Sequence, residues 1–306
     1  MAAPHLIRIK APAVPSDHHT DARPRPRHFP GKAKTMSYKD VLVHVGAAET
    51  PALAAAIGLA RRHDARLIGL GVESFAYLGM YGVEPVPPSI VEAFEDAAAA
   101  ELEAAKSRFD KTVEQYGYAG RSEWRSERGI LVESIGFNGR YADVIVVDQT
   151  DPSHSHPPFG LPAELALGSG RPVMIIPFIG TRSPIGDHVA VAWNASREAA
   201  RAVADAMPIL VKAQRVDVLA VDHHRTDRMP GLDIARHLAA HGVTANVVMR
   251  EKVLDPATEI LNFLAENGSD LLVMGCYGHA RLREVIFGGV SQAMLKSMTV
   301  PVLMSH

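Results

Sequence analysis

The sequence predicts an α/β protein with two tandem doubly wound domains. Each domain is expected to hold a five-stranded, mainly parallel sheet flanked by helices. Three observations predict this. Short apolar runs of buried-strand type alternate with helical stretches, which implies parallel strands joined by right-handed crossovers. The order of units in the first half returns in the second, an internal repeat. The chain has 306 residues, 47% hydrophobic and 22% charged, which suits two ordinary globular domains.

The elements follow in order. Met1 to Thr35 is rich in Pro, His, Arg and Lys, has no sustained apolar period, and reads as a disordered arm over residues 1–36. It lacks the continuous apolar core of a secretory signal. Met36 stands just before the first strand, so it is expected to be the start of the natural protein. The first domain is placed at 37–178. It opens with the strand Asp40 to Val45, the alanine-rich helix Pro51 to Arg62 and the strand Leu67 to Val72. A helix from Ser89 to Tyr116, a strand near Ser122 to Ser126 and a helix from Leu131 to Tyr141 follow. The strands Ala142 to Val147 and Arg171 to Ile176 close the domain. Ser74 to Pro88, with its Tyr, Gly and Pro content, reads as an inserted packed loop. Pro177 to Asp187 is the linker.

The second domain, 187–306, repeats the pattern. Strands are expected at His188 to Trp193, Val216 to Val221, Ala245 to Arg250, Asp270 to Met274 and Val300 to Met304. Helices are expected at Ser196 to Val211, Leu232 to His241, Pro256 to Asn267 and Ser291 to Met298. Ser196 suits an N-cap. Gly117 and Gly242 suit the positions that end matching helices. The strands Pro172 to Ile176 and Pro301 to Met304 would be exposed apolar edges unless they pair with each other. That pairing would join the halves about a pseudo-two-fold axis, an intramolecular pseudo-dimer that could assemble further as a homodimer.

Composition narrows the function. A formal net charge of −2 and 6% aromatic residues argue against a nucleic-acid partner or a stacking surface for bases. No apolar run is long enough for a membrane span, so no membrane partner is expected. The single cysteine, Cys276, allows no intrachain disulfide and fits a reducing, cytoplasmic setting. There is no Walker-type loop, nucleophile elbow or zinc-ligand spacing, and no placed base or carboxylate pair. An enzyme is therefore not expected.

The chemistry-bearing motif is a glycine frame. Gly275 and Gly278 follow a buried strand; nine residues later come Gly288, Gly289, Val290 and Ser291, opening a helix. In an open α/β sheet, ligands bind beyond the carboxyl ends of strands. A helix N-terminus offers free N–H groups to an anion, and glycine lets a phosphate come close. Each feature has a plainer alternative. Gly275 and Gly278 could form a tight turn. Cys276 could be a small buried residue rather than a redox sensor. His223-His224 and His154-x-His156 read as loop histidines, and Arg281 and Arg283 could face either phosphate or solvent. Asp143 and Asp270 look like repeated turn residues.

With the repeat and the Gly-x2-Gly-x9-Gly frame in view, the chain from about Ser37 to His306 resembles the universal stress protein family in its tandem form. The resemblance implies Rossmann-like domains of the adenine-nucleotide alpha-hydrolase type that bind ATP or AMP, with Mg2+ as a possible companion. It implies that Gly288, Gly289, Val290 and Ser291 hold phosphates. Ala192, Trp193 and Asn194 would meet the adenosine, Val221 the adenine, and Met274, Gly275, Tyr277 and Gly278 the ribose and phosphate region. Two positions depart from the family pattern: Asn194 replaces an aspartate, and Gly289 replaces Ser or Thr. Weakened binding is expected.

In the first half Gly46 ends the first strand, Phe159 stands at the Gly288 position, and Pro162 stands at the Ser291 position. A proline has no N–H to offer a phosphate, and Asp148 and Asp151 would repel one. That half is expected to be a structural partner. The expected function is a stress-response protein that binds an adenine nucleotide in its C-terminal half and regulates rather than catalyses. The alternatives are a nucleotide-independent interaction module and a slow ATP hydrolase.

Overall fold

The computed structural model describes residues 6–8, 36–74, 87–150, 160–181, 184–221, 230–250, 254–277 and 289–306. The first half contains β2 (Asp40–His44), α1 (Pro51–His63), β3 (Arg66–Ser74), α2 (Pro88–Gln115), β4 (Ser122–Gly129), α3 (Leu131–Gly139), β5 (Val144–Asp148), α4 (Leu161–Gly168) and β6 (Val173–Ile176). The second contains β7 (His188–Ala192), α5 (Arg197–Leu210), β8 (Arg215–Val221), α6 (Pro230–Ala240), β9 (Ala245–Arg250), α7 (Pro256–Asn267), β10 (Leu271–Gly275), α8 (Val290–Ser297) and β11 (Val302–Ser305). β1 (Leu6–Arg8) precedes both.

The two expected five-stranded sheets are fused into one. Its order is β1-β9-β8-β7-β10-β11-β6-β5-β2-β3-β4. Within each half the neighbours are parallel, and the strand order changes direction between β2 and β5 and again between β7 and β10. The halves meet where β11 lies antiparallel to β6, with Val302 opposite Ile175 and Met304 opposite Val173. The expected pairing of the closing strands is thus observed. Both strands are fully buried, so neither is left as an apolar edge.

Strand residues alternate between two cores. Val41, Val43, Val189, Val191 and Val273 share one with α1, α2, α5 and α6. Leu42, Ile145, Ala190, Leu272 and Met304 share the other with α3, α4, α7 and α8. Each core runs through both halves. Helix ends follow the sequence signals closely. Ser196 Oγ accepts the Ala199 N–H at 3.1 Å as the α5 cap. Gly117 and Gly242 take positive φ of 62° and 81° after α2 and α6, the conformation glycine adopts without a Cβ penalty.

One expectation needs correcting. Leu6–Arg8, placed in a disordered arm, pairs antiparallel with β9. An uncovered strand edge carries a row of unmet N–H and C=O groups, and an extended Leu-Ile-Arg stretch can satisfy them whatever its flanks. The rest of the arm and most of the insertion after Ser74 lie outside the described residues.

Asp143 and Asp270 are turn-holding residues in both halves. Asp270 accepts N–H bonds from Gly186 at 2.7 Å, Asp187 at 3.0 Å and His188 at 2.9 Å. Asp143 accepts from Lys39 at 2.5 Å and Asp40 at 3.0 Å. Each ties the entry of the first strand to the fourth. Removing such an acceptor leaves half-buried donors without a partner. Asp270→Ala is expected to cost about 2–4 kcal/mol, read as a lower urea midpoint, and Asp143→Ala less.

Candidate functional site

The strand-order reversal between β7 and β10 puts their carboxyl ends side by side, next to the start of α8. Ala192, at the tip of β7, and Val221, at the tip of β8, pack on the α7/α8 core. Met274, Tyr277 and Val290 pack on the same core. Ser291 is buried in the first turn of α8, and its Oγ accepts the Tyr277 N–H at 3.4 Å. The structure therefore gathers Ala192, Val221, Met274, Tyr277, Val290 and Ser291 at one end and on one face. Gly289 is the N-cap of α8, with φ 99° and no side-chain cap. A Cβ placed there would meet none of the described residues within 4 Å. Among the described residues, the first N–H groups of α8 thus have no side-chain cap and Gly289 has no close neighbour. Gly278 and Gly288 lie outside the described residues, as do Arg281, Arg283, His154, His156, His223 and His224.

Three expected site residues are used differently. The Trp193 N–H donates to the Leu219 carbonyl at 2.8 Å, but its side chain packs against the opposite core. Asn194 Oδ1 accepts the Ser196 N–H at 3.1 Å and closes the turn into α5, with Ala195 at φ 58°. Gly275 serves packing. A Cβ there would lie 2.4 Å from the Ala199 nitrogen and 2.4 Å from the Glu198 carbonyl carbon. The first turn of α5 rests directly on the end of β10.

Burial pushes the Cys276 thiol up to about 12, with Glu198 adding to it. Its Sγ lies 3.4 Å from the Ser305 carbonyl. Burial also raises Tyr277 to about 12, with Cys276 contributing. Both stay neutral near pH 7, and a thiol so raised is a poor nucleophile. Glu198 is buried beside Gly275. Burial opposes its charge, but hydrogen bonds from Arg197, the backbone and Ser196 outweigh that and hold it below the usual carboxylate range. Glu198 and His306, whose Nδ1 lies 2.9 Å from the Cys276 carbonyl, were missed in the sequence. A glutamate in a first helical turn normally faces solvent, and a terminal histidine carries no signal. No group of three or more His, Cys, Asp or Glu is placed to hold a metal among the described residues.

Comparison with known proteins assigns a family to the second half. The universal stress protein family profile matches residues 192–306, the span that carries this crevice. Residues 192–306 form a universal stress protein domain. Universal stress protein Slr1230 of Synechocystis sp. is 29% identical over a stretch covering 23% of this chain and 32% of that protein. The match thus spans about a third of that relative's length. The fold likeness reaches further. A universal stress protein from Archaeoglobus fulgidus superposes with a TM-score of 0.68 at 17% identity, over 87% of this chain and 95% of the other. A protein of unknown function from Pseudomonas aeruginosa PAO1 gives 0.54 at 15% identity, over 88% and 92%. At such identities the likeness shows the fold alone, here in both halves.

Against the universal stress protein domain of the second half, the first half shows what fills the same crevice. Asp148 occupies the Gly275 position at the end of β5. Its Oδ1 accepts the Ala52 N–H of α1 at 3.1 Å, and burial raises its pKa. α1 has no local side-chain cap at Thr50, so the β5 carboxylate replaces one. Arg108 reaches from α2 to the carbonyls of Gly46 and Ala47. Gly160 keeps the positive φ of Gly289, at 65°, but Pro162 follows in the first turn of α4. A groove of about 600 Å³ between the end of β4, α3 and α4, lined by Glu127, Ile130, Phe137, Arg140 and Glu164, lies elsewhere and contains none of these residues.

Proposed function

We propose that the second half binds an adenine nucleotide, ATP or AMP, with its phosphates at the start of α8, and that the protein acts by regulation rather than turnover. The observation that carries this reading is the N-terminus of α8, left without a side-chain cap by the described residues. Gly289 caps it with no side chain, while Ala192, Val221 and Tyr277 line the adjoining strand ends. Free N–H groups and the positive end of a helix favour an anion, and apolar strand tips favour a nucleoside face. The first half supports the contrast, since Asp148, Arg108 and Pro162 consume the same positions. Regulation then means that nucleotide stabilises one conformation or assembly through differential affinity. A cytoplasmic setting fits this role; no helix among the described residues is long and apolar enough to cross a membrane.

Calorimetry with ATP and AMP tests the reading. Wild type is expected to give a saturable heat and a rise in melting temperature. Ser291→Asp keeps an acceptor for the Tyr277 N–H and places a carboxylate where a helix start tolerates it, but it repels phosphate. Affinity is expected to fall at least about tenfold, equivalent to about 1.4 kcal/mol, with no loss of melting temperature. Absence of heat and of thermal shift in wild type would favour the nucleotide-independent interaction module. Conversion of ATP during incubation with Mg2+ would favour the hydrolase.

A further inference from the structure

The two outer edges of the long sheet are unlike. β4 forms one edge and carries Glu123, Arg125, Glu127 and Arg128. Glu123 pairs with Arg125 at 2.6 Å, and Arg128 with Glu95 at 2.5 Å. Charges along an edge strand oppose pairing with another chain. β9 forms the other end of the parallel array and reads Ala245, Asn246, Val247, Val248, Met249, Arg250. It has no charge before its last residue, and Val247 and Val248 are buried. This is the composition of an edge that pairs. β1 covers it, with Leu6 opposite Val248, Ile7 opposite Val247 and Arg8 opposite Asn246.

We propose that the outer edge of β9 is a strand-acceptor site, held shut by the chain's own Leu6–Arg8, and that once uncovered it pairs with the β9 of a second copy. The chain already extends its sheet in this way, since β6 and β11, equally free of charge, join the halves by antiparallel pairing. Antiparallel self-pairing of β9 is two-fold symmetric, as in an isologous dimer. Centred on Val247 and Val248, it sets Arg250 of one copy against Ala245 of the other, so no like charges meet.

The cover is short, three residues against a six-residue edge. Short terminal strands open at low free-energy cost. The tether suffices. β1 and β2 stand eight strand positions apart, about 38 Å at ordinary strand spacing. Residues 9–35 can span up to about 90 Å when extended. A tethered strand competes at a high effective concentration, so the cover wins while it is intact.

The test compares the full chain, Ile7→Pro and a chain beginning at Met36. Light scattering behind size exclusion gives the mass over a range of concentrations, and hydrogen exchange follows the amides of β9. Proline removes an N–H and disfavours strand pairing, and position 7 lies outside the folded halves. Both altered chains are expected to double their mass at concentrations where the full chain does not. When dilute, their β9 amides should exchange faster. A synthetic peptide of residues 1–12, in excess, should restore the mass of the full chain. Equal masses for all three proteins would overturn the proposal. So would doubling that the peptide does not reverse, or β9 exchange that is the same in all three.

Discussion

Gly275→Ala will destabilise the second half by about 2–3 kcal/mol, and Gly275→Val by more. The reason is rigid. An added Cβ meets the Ala199 nitrogen and the Glu198 carbonyl carbon, both at 2.4 Å, and backbone at a capped helix start cannot swing aside. Overpacking of this kind typically costs about 1–3 kcal/mol, occasionally more. The change should appear as a fall of several degrees in the melting temperature with nucleotide absent. Gly289→Ala is the contrast. Its Cβ meets none of the described residues within 4 Å, so its cost is that of the φ of 99°, about 1–3 kcal/mol. If Gly275 served only the approach of a phosphate, its alanine variant would keep its melting temperature and lose only affinity. That result would refute the packing account.

Acid will weaken the fold through two histidines, the buried His63 and the half-buried His44. His63 is 1% exposed at the end of α1. Burial lowers its pKa to about 3, with Lys212, Arg62 and Lys39 adding repulsion. His44, at the tip of β2, is lowered by burial to about 4. An unfolded histidine takes up its proton near pH 6.5. Between about pH 6.5 and 4 the unfolded chain therefore binds more protons than the folded one, and stability falls as pH falls. Above pH 6.5 both states are neutral and nothing is lost.

Each histidine can cost up to about 1.4 kcal/mol per pH unit in that window, on the order of 3 kcal/mol apiece by pH 4. His63→Phe keeps the ring packing against Tyr38, whose centroid lies 4.8 Å away, and removes the titration. Its unfolding free energy should depend less on pH between 6.5 and 4 than that of wild type. Identical pH slopes for the two proteins would count against burial of a neutral His63. The site matters because Arg62, next in sequence, bonds the Asp187 carboxylate at 2.6 Å and the Lys212 carbonyl at 2.9 Å. Lys212 answers with a 2.7 Å bond to the Arg62 carbonyl. A proton on His63 would add positive charge inside the contact between halves.

Much of this molecule was legible in the linear chain. The apolar runs became strands within a residue or two, because period and length separate buried strands from helices. The repeat placed Asp143 and Asp270 in matching turns, and Ser196 and Gly242 marked helix ends through local backbone chemistry. Ala192, Val221, Tyr277 and Ser291 came together because strand order carries their positions to one crevice.

Other features depended on contacts between distant segments. No local signal shows that Trp193 turns to the opposite core, or that Gly275 is required by the backbone of Glu198 and Ala199. None shows that Asp148 caps α1 across 96 residues, or that Leu6–Arg8 covers β9. Sequence alone determined the elements, their order and the family of the second half, since period, caps and turns are properties of neighbouring residues. Only the tertiary structure decided which glycine serves packing, which crevice is filled and which sheet edge needs a cover. Those depend on what another part of the chain brings within a few ångströms.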